Sequence, residues 1–194
     1  MKRLIINTIC LLLFPLIAVG QTTTHKASDK SLIFSFDGAV IDDYKYGIGG
    51  KYWTSYNTAI TASFLKGSNT TDIDTNSQSQ LTNFDSTTTG ASISALKHFY
   101  NSSSVSPYFG IEAQYSTSQT ESSGFVLNKT SYLGINAIIG VEYFVNDSFS
   151  FAAEYYAGTY KITEEDLADD LSIDKSSTTG YGIGSSSLHL LFYF

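Results

Sequence analysis

Cysteine is almost absent from this chain. Its 194 residues include one cysteine, Cys10, which lies in the apolar stretch near the amino terminus. A single cysteine cannot form an intrachain disulfide, so the sequence is not one of the small secreted scaffolds that disulfides hold together.

Positive charge is scarce as well. The sequence has 11 Lys and Arg residues against 18 Asp and Glu, for a formal net charge of −7, and its single arginine is Arg3. Nucleic-acid binding needs a basic surface that neutralises phosphates. The composition therefore argues against a nucleic-acid partner.

The amino terminus has the three parts of a secretory signal peptide. A basic start, Lys2–Arg3, precedes an apolar run at 4–19, and small residues occupy the positions before a cleavage site at Gly20. The run is too short for a spanning helix, which needs about 20 apolar residues, and Asn7 and Pro15 interrupt it. We therefore predict a cleaved signal peptide at 1–20.

Long apolar runs are missing from the rest of the chain, so we predict no transmembrane helix there. Instead, apolar and polar residues alternate, and a period of two places each set on its own face of a strand. We predict a polar lead-in at 21–31 and one all-β domain at 32–194. Its eight antiparallel strands are expected at 32–40, 44–53, 59–66, 90–100, 108–115, 131–144, 149–158 and 180–194.

The predicted connections alternate in length. Short turns follow the second, fourth and sixth strands, whereas polar composition predicts loops at about 67–88, 116–129 and 160–179. Transmembrane barrels have this asymmetry, with tight periplasmic turns and longer external loops. Both termini are then expected on the periplasmic side. The acidic segment 160–178 is interpreted as a solvated loop, and cation binding by it is left open.

The two strand faces differ in chemistry. One face is apolar, and the other carries glycine, serine and a set of mid-strand charges: Asp37, Lys51, Glu112, Glu142 and Glu154. Buried charges need partners, which neighbouring strands of a narrow barrel supply. Long strands with aromatic residues near their ends are typical of membrane barrels. We therefore predict an eight-stranded antiparallel up-and-down transmembrane β-barrel with a polar lumen, in preference to a soluble β-sandwich.

The last strand alternates strictly and ends on phenylalanine. This ending resembles the carboxy-terminal recognition signal of bacterial outer-membrane proteins, and segments 106–115 and 140–155 resemble the small outer-membrane β-barrel domain proteins of Gram-negative bacteria. The resemblance implies location in the outer membrane and insertion by the barrel-assembly machinery. The residues implied to form the assembly signal are Leu188, Leu190, Phe192 and Phe194.

No catalytic, cofactor or metal site is predicted. Hydrolysis would need a serine, a histidine and an acidic residue within hydrogen-bond reach. His189 shares a face with Ser187, but that face is the predicted lumen, away from lipid. Segment 72–83 lacks the glycine and the glutamate of a calcium loop.

The sequence leaves function more open than fold. Eight strands enclose an interior that their own side chains can fill, and Tyr132, Tyr156 and Tyr181 are expected to add bulk there. We predict a non-enzymatic barrel, with an envelope-integrity or surface-contact role through its external loops. The alternatives are a narrow channel or carrier for small solutes and, more remotely, a lipid-modifying enzyme. The expected partners are outer-membrane lipid, lipopolysaccharide and the assembly machinery, and we expect a monomer.

Overall fold

The computed structural model describes residues 26–37, 45–74, 81–99, 104–122, 125–166 and 174–194. The predicted signal peptide and the first part of the lead-in lie outside these residues. The described residues form eight strands, namely β1 (Lys30–Asp37), β2 (Lys45–Ser55), β3 (Thr58–Asp74), β4 (Leu81–His98), β5 (Val105–Ser122), β6 (Phe125–Asn146), β7 (Phe149–Asp166) and β8 (Asp174–Tyr193).

Each strand pairs antiparallel with the next, and β8 pairs with β1 from Ser31–Tyr193 to Asp37–Ser187, which closes the barrel. The predicted eight-stranded up-and-down barrel is confirmed. Both described ends of the chain and the short turns β2–β3, β4–β5 and β6–β7 lie at one end, called here the termini end. The opposite end, where the other hairpins project, is called the hairpin end.

Among the described residues, no helix has the length and apolar character to cross a membrane.

The predicted loops at 67–88, 116–129 and 160–179 are wrong, because most of these residues belong to strands. β3 continues to Asp74, and β5 and β6 continue until Ser122 pairs with Phe125. Threonine and serine hydroxyls join the strands here, with Oγ1–Oγ1 of Thr89 and Thr117 3.3 Å apart. Polar composition on both faces therefore indicates strand segments that extend beyond the apolar surface into water. β-branched threonine favours extended backbone there as well.

The described part of the acidic segment 160–178 also forms strands rather than a loop. Its described residues belong to β7 and β8, whose last pair joins Asp166 to Asp174, and 167–173 lie outside the described residues. The Lys175 ammonium lies 2.6 Å from a Glu165 carboxylate oxygen and lowers the pKa of that exposed carboxyl. An exposed pair of this kind stabilises the hairpin only slightly.

The outer surface of the barrel is apolar through its middle. Exposed side chains include Ile48, Phe64, Ile93, Ile111, Ile135, Ile139, Phe151 and Leu188. Alternate residues of the same strands point inwards, where Ser94, Asn136 and Glu142 are buried beside Leu96 and Ile138. This is the reverse of a soluble barrel and matches the polarity of a transmembrane barrel.

Tyr181 departs from the expected lumen position and is 86% exposed. The register of β7 and β8 shifts by one residue, because Tyr156 pairs with Ser185 and Ala157 with Ile183. A bulge of one residue reverses which face the following side chains occupy. Between the bulge and the hairpin end, the odd-numbered residues of β8 therefore point outwards.

Candidate functional site: the barrel interior

A buried ion pair lies at the termini end of the lumen. Lys51 Nζ is 2.5 Å from Glu142 Oε2, and the two side chains are 2% and 0% exposed. The second oxygen of Glu142 accepts hydrogen bonds of 2.5 Å from Ser150 Oγ and from the Tyr193 hydroxyl. The carboxylate is thus partnered on both oxygens, which a buried charge requires.

Aromatic rings surround the ammonium group of Lys51. Its Nζ lies 4.6 Å from the ring centre of Trp53 and 3.2 Å from His98 Nε2. The other ring nitrogen of His98 lies 2.9 Å from Ser106 Oγ. Trp53, Phe144 and Ser106 are each fully buried, at 0% exposure. We call the set Lys51, Trp53, His98, Glu142, Phe144 and Tyr193 the floor of the barrel.

A second network, centred on Glu154, lies next to the floor. The Tyr108 hydroxyl donates 2.6 Å to Glu154 Oε1, while Tyr156 and His189 contact Oε2, the latter at 3.0 Å. The Tyr108 ring also packs against the His98 ring, with centres 4.6 Å apart and a tilt of 32°, and therefore joins this network to the floor. A glycine on β6 makes room for that ring, because a Cβ on Gly140 would lie 2.4 Å from Tyr108 Cζ.

The predicted lumen charges thus separate into neighbouring groups. Lys51 and Glu142 meet in the floor, Glu154 belongs to the second network, and Glu112 accepts 3.1 Å from Asn136 Nδ2 further along the lumen. Asp37 ends β1 opposite Lys45 and Ser187, and its side chain lies outside the described residues.

Several members of these networks were missed at the level of sequence. Trp53, Tyr108 and Phe144 lie on the inward parity of β2, β5 and β6. Trp53 and Phe144 are each two residues from a lumen charge, and Tyr108 is four residues from Glu112. The same alternation, applied to the bulky aromatic residues as well as to the charges, would have assigned these three side chains to the lumen.

A serine, a histidine and a carboxylate do come together on the lumen face. Ser35 Oγ lies 2.9 Å from His189 Nδ1, and His189 Nε2 lies 3.0 Å from Glu154 and 2.7 Å from Ser187. Acyl transfer also needs donors for a developing oxyanion. The backbone amides around Ser35 and Ser187 belong to the sheet ladder between β7, β8 and β1. The sheet ladder therefore does not leave these amides to bind an oxyanion.

The hairpin half of the lumen contains a cavity of about 550 Å³. Nearly half of its lining residues are serine or threonine, and its inner end is lined by the Glu154 network, by Lys51 of the floor and by Ile33 and Leu191. Hydroxyl pairs join neighbouring strands across its wall, at 2.5 Å between Thr61 and Ser94 and 2.8 Å between Ser63 and Ser92. Trp53, Phe144 and Tyr193 do not line it, because they close the barrel beyond its inner limit.

The implied assembly residues share the outward face of β8 or follow it at the carboxy terminus. Leu188 and Phe192 are about half exposed, Leu190 is partly exposed, and Phe194 follows the strand and is exposed. Phe192 packs against Phe149 with ring centres 5.0 Å apart. Their role in assembly stays a prediction.

Comparisons with known proteins agree with this geometry. Residues 18–184 match a family model described as "Outer membrane protein beta-barrel domain". The outer membrane protein OprG of Pseudomonas aeruginosa is similar in structure, with a TM-score of 0.55 at 14% identity, covering 88% of this chain and 98% of OprG. The amino-terminal β-barrel domain of Pseudomonas aeruginosa OprF gives 0.51 at 13% identity, covering 88% of this chain and 100% of that domain.

At these identities the two structures show a shared fold and nothing finer. Among curated proteins, none matches the chain.

Proposed function

Because the chain belongs to the outer membrane protein β-barrel domain family, we propose that it is a non-enzymatic, non-conducting barrel of the outer membrane that acts through its projecting hairpins. Its role is envelope integrity or surface contact. The observation that carries the proposal is the floor, in which Lys51 and Glu142 are paired and buried at the termini end of the lumen.

The floor supports a closed barrel on physical grounds. A conducting path would have to separate the buried pair or pass between side chains such as Trp53 and Phe144, which have no exposed surface. Separating a buried ion pair without replacing its partners costs several kcal/mol, about 3–5. Thermal opening of this end is therefore rare, which argues against the alternative of a narrow channel or carrier.

The hairpins support a role at the surface. β3–β4, β5–β6 and β7–β8 continue beyond the apolar band as polar ribbons rich in serine and threonine. Expected partners are outer-membrane lipid and lipopolysaccharide around the barrel, and the assembly machinery that reads β8. We propose a monomer, since closure of the ring by β1 and β8 leaves its membrane part without an open edge.

Conductance in planar bilayers tests the closed barrel. The purified wild-type protein is expected to give no steady unitary steps. A Trp53→Ala/Phe144→Ala variant, which removes two fully buried floor side chains, is expected to leak. The matched control is Tyr52→Ala/Tyr143→Ala, which truncates the adjacent aromatic residues on the other parity. Steady unitary steps from the wild type would contradict the proposal.

Shortening one hairpin tests its role. Ser68 pairs with Thr87, so residues 69–86 are replaced by a two-residue Asn-Gly turn, with folding checked by heat-modifiable migration in gels. Loss of cell attachment with unchanged detergent resistance identifies surface contact, and the converse identifies envelope integrity. An unchanged outcome in both assays would overturn the proposed role of the hairpins.

A further inference from the structure

The barrel wall is much lower at β1 and β2 than elsewhere. The last pair of β1 with β2 joins Asp37 to Lys45, and the last pair of β2 with β3 joins Lys45 to Gly67. β3 then continues to Asp74, which adds about 23 Å along the strand at 3.3 Å per residue. β8 likewise begins at Asp174, long before its first pair with β1 at Ser187.

These registers leave a notch in the wall. Within the described residues, no strand pairs with β3 at 68–74 on its β2 side or with β8 at 174–186 on its β1 side. The notch is about 14 Å wide, since three inter-strand spacings separate β8 from β3.

The notch leads into the cavity. The residues at its edges, Lys45, Ser68, Asn69, Ser185 and Ser186, are also lining residues of the cavity of about 550 Å³. Below it, the outward side chains of β1 and β2 are apolar and exposed. The notch therefore begins where the described apolar surface of these strands ends, at the level of the outer headgroups in a membrane barrel.

The lining chemistry suits a neutral ligand rich in hydroxyl groups, because serine and threonine dominate the lining and its charged residues, Lys45, Lys51, Glu112 and Glu154, are two of each sign. Each serine or threonine hydroxyl both donates and accepts, so the pairs Ser63–Ser92 and Thr61–Ser94 keep hydrogen-bonding capacity beyond their mutual bond. Gln114 adds an amide, and Tyr132 adds a ring beside the hydroxyls. The volume lies within the range of small-molecule sites, about 300–1,000 Å³.

We infer that this cavity binds a short, neutral saccharide, which enters at the hairpin end, where the described part of the wall is lowest between β8 and β3. The saccharide is either free in solution or the sugar portion of an outer-leaflet glycolipid, because both present the same hydroxyl chemistry. The inference depends on the proposed function only because it assumes that the floor is closed. The conductance measurement tests that assumption separately.

The first arm of the test uses a free sugar. The mature chain is placed in phospholipid nanodiscs without glycoside detergents, and maltose binding is measured by saturation-transfer NMR. Ser92→Phe fills the cavity and is expected to weaken binding at least about tenfold through steric clash. Ala91→Phe, which adds the same ring on the outer face, is the matched control and is expected to bind as the wild type does.

The second arm uses a glycolipid. A Ser116→Cys reporter in the cavity wall is modified with a hydrophilic maleimide in nanodiscs with and without rough lipopolysaccharide. Occupation of the cavity slows modification, and Ser92→Phe abolishes the difference between the two preparations. If Ser92→Phe does not fold, Ser63→Phe on the paired strand fills the same space.

Maltose binding that depends on the cavity supports a free saccharide, and protection by lipopolysaccharide alone supports a glycolipid. Absence of both signals would overturn the inference. Binding or protection that Ser92→Phe and Ser63→Phe leave unchanged would overturn it equally, because the ligand would then lie outside the cavity.

Discussion

Replacing Lys51 with methionine is expected to destabilise the barrel strongly. The Lys51 side chain is 2% exposed, and its ammonium lies 2.5 Å from Glu142, whose side chain has no exposed surface. Methionine fills a similar volume against Trp53 but removes the ammonium, so the carboxylate keeps the hydroxyls of Ser150 and Tyr193 and the His98 ring, whose Nε2 lies 4.0 Å from Oε2. The change therefore measures the loss of the lysine charge beside a buried carboxylate.

The magnitude follows from that arrangement. Removal of one member of a buried pair costs about 3–5 kcal/mol. Exposed lysines cost far less, and Lys97→Met, at an exposed contact with Asn57, is expected to lose at most about 1 kcal/mol. In the double variant Lys51→Met/Glu142→Gln no lone charge remains. The double variant is therefore expected to lose about 2 kcal/mol less unfolding free energy than the two single variants lose in sum.

The assay is reversible urea unfolding in lipid vesicles, followed by tryptophan fluorescence. The chain has a single tryptophan, Trp53, and it is fully buried in the floor, so the signal reports the region that is changed. Midpoints and slopes of the four proteins complete a double-mutant cycle. Two results would refute the reasoning: a loss of unfolding free energy below about 1 kcal/mol for Lys51→Met, or additive losses in the double variant. A buried carboxylate without its lysine partner should destabilise the barrel by more than that.

Three further predictions concern the wall, the hairpins and the terminal strand. Gly140→Ala is expected to lower the free energy of unfolding by about 1–3 kcal/mol in the same urea assay, because its Cβ would overlap the buried Tyr108 ring. Gly50→Ala is expected to be neutral or stabilising, because its Cβ would lie 3.7 Å from the nearest atom, the Ser31 carbonyl oxygen. Lys175→Ala is expected to raise the pKa of Glu165 towards its ordinary value, seen by NMR titration; an unchanged titration would contradict the ion pair, whose small contribution is present above the unfolded pKa and lost as pH falls. Phe194→Ala is expected to reduce the heat-modifiable fraction in the outer membrane, and full assembly would argue against a role in recognition.

Much of the fold could be predicted from sequence because strand periodicity is local. Alternation at Leu188 to Phe194 or at Phe149 to Tyr156 assigns each side chain to a face without knowledge of its neighbours. The same alternation placed Lys51 and Glu142 inside, and the structure brings them into contact although 91 residues separate them. Which inward residues meet depends on register and barrel stagger, and neither is encoded locally.

The errors have a physical cause as well. Serine and threonine segments such as 81–88 are predicted as loops from sequence because polarity usually marks loops. In this barrel they form paired strands outside the lipid, where hydroxyl pairs such as Ser86–Ser118 join neighbouring strands. The outward position of Tyr181 depends on a one-residue bulge between β7 and β8, which no local pattern reveals.

The central claim is a barrel that is closed at its floor and accessible from its hairpin end, and thiol labelling by side tests it most directly. The predicted mature chain has no cysteine, so Ser116→Cys in the cavity and Ser106→Cys in the fully buried region of the floor each provide a single target. An impermeant maleimide is applied from either side of an oriented membrane. The account predicts modification of Ser116→Cys from the hairpin side alone and protection of Ser106→Cys from both sides. Modification of Ser116→Cys from the termini side would contradict it.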